Sequence, residues 1–166
     1  MFRMSFIAIA PVEAHLFLNH VPLVGLVFGL VFLVAGLKRS SDAALRASLR
    51  IFVAMGVIVV LVAGSGLVSA NILADATWLD ADALSRHRLA GIFTLVILVT
   101  LGGLSGAMLS SSRNTSTLPA WGRTAVLVLA LVALGACLWT AYVGGRLRHS
   151  ELRQTRSSLN RPVFTA

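Results

Sequence analysis

Four long runs of apolar residues, each closed by a short polar or charged stretch, set the pattern of the chain. They cover about 14–37, 44–70, 82–110 and 119–143. Each matches or exceeds the roughly 20 residues a helix needs to cross the hydrocarbon core of a bilayer. Lipid offers no partner for a free backbone amide, so apolar runs of this length are expected as helices. Short connections make consecutive helices antiparallel neighbours. The pattern therefore predicts an all-α membrane protein, an up-and-down bundle of four transmembrane helices within 14–149. An interfacial lead-in, 1–13, precedes it, and a basic polar tail, 150–166, follows.

Composition supports this division. The chain has 166 residues, of which 57% are hydrophobic and only 12% charged, with a mean hydropathy of +0.89. A soluble domain carries about a quarter charged residues. The net charge of +8 does not point to nucleic acid, because the basic residues sit at segment ends and in the tail, where they anchor helices and meet anionic headgroups. Cys137 stands alone in the fourth segment, which leaves no disulfide framework and no cysteine metal motif. Ala8-Ile9-Ala10 imitates a signal-peptidase site, but the apolar run before it is at the short limit for a signal peptide, so 1–13 is read as retained.

Local signals refine the segments. Pro22 either lies in the first turn of a helix starting near Asn19 or kinks one that starts earlier. Gly25 with Gly29, and Gly102 with Gly106, are small-xxx-small pairs that let helices approach closely. Asp80 or Asp82 can cap the third helix. Trp78, Trp121, Trp139 and Tyr142 fall at segment boundaries, the pattern of an aromatic belt. Lys38, Arg39, Arg46 and Arg50 cluster around one short connection, which orients that loop inward and both termini outward across a bacterial inner membrane.

Four crossings bring all four histidines, His15, His20, His87 and His149, to one face. His15 and His20 are five residues apart, about 140° around a regular helix, so they cannot share a side. Histidines near helix ends often sit solvated among headgroups. Within or beside a span they are costly enough to suggest function, and neutral imidazole is a metal ligand. The first and third helices are diagonal in such a bundle, so His20 and His87 are expected to face each other as an axial pair for haem b. His149 is the substitute and His15 the last choice. Gly25, Gly64 and Gly66 would give the slot, while Arg86, Arg88, Arg146 and Arg148 lie at the boundary where propionates need cations. A tetrahedral zinc or copper site from the four histidines ranks below haem, since no His-x-x-x-His pair exists. No hydrolase constellation is present. No charged residue lies near the middle of a span, which disfavours transport.

Asn19-His20-Val21-Pro22, Arg86-His87-Arg88-Leu89-Ala90-Gly91 and Gly144-Gly145-Arg146-Leu147-Arg148-His149 together resemble an uncharacterised bacterial family of four-helix membrane proteins. That family has a His-Phe-Pro type turn in helix one and a Gly-Gly ending followed by histidine; Val21 stands here where phenylalanine is common. The arrangement is also similar to small b-type cytochrome membrane subunits. This likeness implies an electron carrier, working with a quinone, other redox subunits or a second copy, rather than a stand-alone enzyme. The rival expectation is a cofactor-free accessory subunit that packs through its glycine faces against a larger membrane complex.

Overall fold

A computed structural model describes residues 3–73, 80–112 and 118–148, with side chains from 11 to 146. Five helices form: α1 (Arg3–Leu18), α2 (His20–Arg39), α3 (Asp42–Ile72), α4 (Ala81–Ser111) and α5 (Ala120–Arg148). α2 to α5 form an up-and-down four-helix bundle. α2 packs on α3, α3 on α4, α4 on α5, and α5 closes on α2 through the thinnest of the four seams. α2 and α4 lie on one diagonal, as expected. Trp78, Asp75, Arg113, His149 and the tail lie outside the described residues.

The segment expected as a lead-in is helical, and it continues the line of α2 along α3. Gly36 meets Leu45, Gly29 meets Phe52, Gly25 meets Met55, and then His15 meets Gly66, while Ser69 hydroxyl donates to the Pro11 carbonyl at 3.3 Å. One antiparallel register thus runs through both helices. They are divided at Asn19 because Pro22, in the first turn of α2, has no N–H for the Leu18 carbonyl.

Local chemistry sets the other helix ends. Ser40 takes a left-handed conformation (φ 50°) after α2, and the Ser41 N–H closes back on the Gly36 carbonyl at 3.0 Å. Ser41 then caps α3 through the Ala44 N–H. Asp80, one of the two expected caps, accepts from Asp82 N–H at 2.9 Å and Ala83 N–H at 3.2 Å. Asp80→Ala should cost about 1 kcal/mol, and Asp80→Asn only a few tenths, because asparagine caps equally well. Thermal unfolding of both variants in one detergent checks this.

The core is a column of Leu26, Leu33, Leu49, Phe52, Leu98, Leu101, Val126 and Ala130, all essentially inaccessible. The outer surface is equally apolar: Phe17, Phe28, Val57, Leu61, Phe93 and Leu131 are among many large exposed side chains. A soluble monomer does not expose apolar surface on this scale. Four helices are long and apolar enough to cross a membrane, and the protein is an integral membrane protein. Trp121 and Trp139 are both exposed on α5, spaced as residues at two membrane interfaces would be. The interval between them rises about 27 Å at 1.5 Å per residue, close to the hydrocarbon thickness of about 30 Å.

Candidate functional site

Direction fixes which residues can meet. α1 and α4 begin, and α3 and α5 finish, at the same end of the bundle, level with the exposed ring pair Trp139 and Tyr142, whose centroids are 6.0 Å apart. His15, His20 and His87 all lie at this end.

His20 points away from the bundle. Its ring is exposed, and Nδ1 donates to the Leu16 carbonyl one turn back at 2.8 Å. It closes the backbone at the α1–α2 division. His15 instead turns inward against α3, half-buried. Its Nδ1 lies 3.0 Å from Ser65 Oγ. That hydroxyl also lies 2.8 Å from the Val62 carbonyl, and with its proton turned there it accepts from His15. In that arrangement the neutral His15 ring carries its proton on Nδ1 and leaves a lone pair on Nε2. An imidazole oriented through one nitrogen, with the other bare, is the usual state of a metal-ligating histidine.

His87 occupies the matching place on α4. Its ring fills a notch at Gly144: a Cβ there would lie 2.9 Å from His87 Cε1. Gly66 forms the same kind of notch for His15, with the added Cβ 2.9 Å from His15 Cε1. The Thr140 backbone carbonyl lies close to the His87 ring as an acceptor, short of well-formed hydrogen-bond geometry. Two turns further along α4, Thr94 and Thr140 hydroxyls bond at 2.8 Å and pin α4 to α5. His87 Nδ1 is nevertheless buried with no hydrogen-bond partner among the described residues. A buried nitrogen without a partner costs on the order of 1–3 kcal/mol, and such a group in a native structure calls for an explanation.

The structure thus turns His15 and His87 inward at one end of the bundle, against Gly66 of α3 and Gly144 of α5 respectively, and leaves His20 outside. Of the glycines expected to shape a slot, Gly66 borders the site. Gly25 receives the Met55 side chain well away from it, and Gly64 faces open space. Gly144, which enters the sequence reading only within the Gly-Gly ending of helix four, cradles His87. Its spacing carries the signal: Thr140 and Gly144, one turn apart on α5, face α4 just where His87 and Thr94 lie two turns apart. Arg86 and Arg88 are exposed at the start of α4, and Arg86 Nε donates to the Asp82 carbonyl at 3.4 Å. Arg146 lies over the Tyr142 ring, 5.7 Å from its centroid. The Arg148 side chain and His149 lie outside the described residues.

Among the described residues, this end of the bundle offers two inward-turned imidazoles, His15 and His87. No group of three or more His, Cys, Asp or Glu side chains gathers among the described residues. A bare zinc or copper ion would be short of donors, whereas haem iron brings four ring nitrogens and needs only two axial ligands. Comparison of the chain with protein-family models, with curated proteins and with solved structures gives no match.

Proposed function

We propose that this membrane protein binds haem b at the histidine end of the bundle and relays electrons. The axial ligands are His15 and His87 in this reading, with His87 in the place the sequence suggests and His15 replacing His20. The observation that supports it is the buried His87 Nδ1, which makes no well-formed hydrogen bond, at the same end of the bundle as a second inward-turned imidazole held at Ser65. Bound haem supplies a one-electron couple. Arg86, Arg88 and Arg146 are placed at the same membrane boundary to meet its propionates, as arginine forks suit carboxylates. Electrons would pass to and from a quinone, other redox subunits or a second copy. In a bacterial inner membrane, the loop bearing Lys38 and Arg39 faces inward and both termini outward.

The cofactor-free reading finds less support. The glycine pairs that would present an outer docking face are turned inward: Gly25 and Gly29 receive Met55 and Phe52, and Gly102 meets Gly56. Gly91, Gly103 and Gly135 do face open space and could admit a partner helix.

The absorption spectrum decides. Protein purified in detergent and supplied with haem should give a Soret band and a reducible α band. His87→Ala and His15→Ala should each remove the six-coordinate spectrum, while His20→Ala should keep it. A colourless protein, or loss of the bands in His20→Ala with His15→Ala unaffected, sinks this assignment.

A further inference from the structure

The opposite end of the bundle holds a second feature, independent of the histidines. Where α5 closes on α2, the seam opens into a shallow groove of about 490 Å³ lined by Leu30, Val31, Val34 and Ala35 of α2 and by Leu127 and Leu131 of α5. Its wall is apolar along its length, and Lys38 and Arg39 form its mouth. Both are exposed, in the last turn of α2. Among the described residues no hydrogen bond or ion pair engages either side chain. Arg123 stands at the same end, one turn before Leu127 and two before Leu131 on one face of α5, so a third cation continues the groove's line.

Cations in the last turn of a helix also complement its dipole, and at a membrane boundary they extend toward water. Neither effect needs an apolar channel between two helices leading up to the charges. The combination matches one molecule, a phospholipid with an acyl chain in the groove and an anionic phosphate at its mouth. α5 begins at Ala120 at this same end, and the positive end of its dipole favours the phosphate as well. Asp42 lies nearby in the first turn of α3 but does not line the groove.

We propose that the α2–α5 groove is a binding site for one anionic phospholipid, held by Lys38 and Arg39 with Arg123 in support. Such a lipid fills the thinnest seam of the bundle and ties α2 to α5. Ordinary boundary lipid has no headgroup preference, and the site does.

Native mass spectrometry of detergent-purified, delipidated protein tests this, with phosphatidylglycerol and phosphatidylcholine of identical acyl chains as probes. With surface cations each favouring anionic lipid, phosphatidylglycerol should bind about tenfold more tightly, as a single adduct. K38Q/R39Q should remove the preference. A35F, which fills the groove without changing charge, should remove the adduct. R50Q deletes an exposed cation on α3 at the same membrane end, and it should leave the adduct intact. The proposal fails if the two lipids bind equally, if R50Q weakens binding as much as K38Q/R39Q, or if folded A35F binds phosphatidylglycerol as the parent does. Should A35F not fold, the comparison of K38Q/R39Q with R50Q still decides.

Discussion

Gly102→Leu should destabilise the bundle severely, while Gly103→Leu, one residue along, should not. A Cβ at Gly102 would lie 3.0 Å from Gly56 Cα and 3.2 Å from the Phe52 carbonyl oxygen. The clash is reciprocal: a Cβ at Gly56 would lie 3.1 Å from both Gly102 Cα and the Leu98 carbonyl oxygen. Backbone cannot rotate away as a side-chain tip can, so α3 and α4 must part at their crossing. Phe52, Leu98 and Leu101, all fully buried around it, would lose their packing together. Overpacking a well-filled core costs about 1–3 kcal/mol, and a leucine at a backbone contact belongs at the upper end. A cost near 3 kcal/mol lowers the unfolding midpoint by about 6–12 °C for a chain of this size. A Cβ at Gly103 meets nothing within 4 Å. Leucine there faces lipid and gains up to about 1 kcal/mol of helix propensity. Circular-dichroism melts of the two variants in the same detergent check the contrast. Equal midpoints would mean that the α3–α4 contact is not the close backbone crossing described.

That pair of positions shows what was legible in the sequence. Apolar run length predicts four spans; three match single helices to within a few residues, Asp42–Ile72, Ala81–Ser111 and Ala120–Arg148, while the first is divided at Asn19 between α1 and α2. Small-xxx-small spacing marked Gly102 as a place of close approach, but spacing does not name the partner. Gly102 meets a glycine, Gly25 and Gly29 accept side chains, and Gly106 makes only ordinary contact with Val53 at 3.7 Å. The separation of His15 from His20 also followed from helical geometry. Which of them turns inward did not, because it depends on the joint at Asn19 and on the register of α1 along α3. Mean apolarity contains neither. The lead-in 1–13 was read as interfacial; its docking on α3 at Ser69, which continues the His15 contacts with Ser65 and Gly66, is a long-range pairing that no local pattern encodes.

Gly144→Leu should abolish the proposed haem site while sparing the fold, and Gly145→Leu should spare both. At Gly144, an added Cβ would press on His87 Cε1 at 2.9 Å and Nδ1 at 3.2 Å, and on no backbone. An imidazole tip can yield, so the helices need not separate. It yields by leaving its notch, and that changes where Nδ1 points. A displaced ligand of this kind costs about 10–100-fold in metal affinity. At Gly145, an added Cβ meets nothing within 4 Å, and the gain in helix propensity is the same for both variants. The propensity terms therefore cancel in the comparison, and what remains is the contact with His87. In haem titrations followed by absorbance, Gly144→Leu should lose at least about tenfold in affinity. Gly144→Ala asks the ring to move by only a few tenths of an ångström, and it should shift the bands while keeping them. If Gly145→Leu weakens haem binding as much as Gly144→Leu, the Gly144 notch does not position His87 for a ligand. The ring would then be core packing, and the unpartnered nitrogen a cost the bundle carries without return.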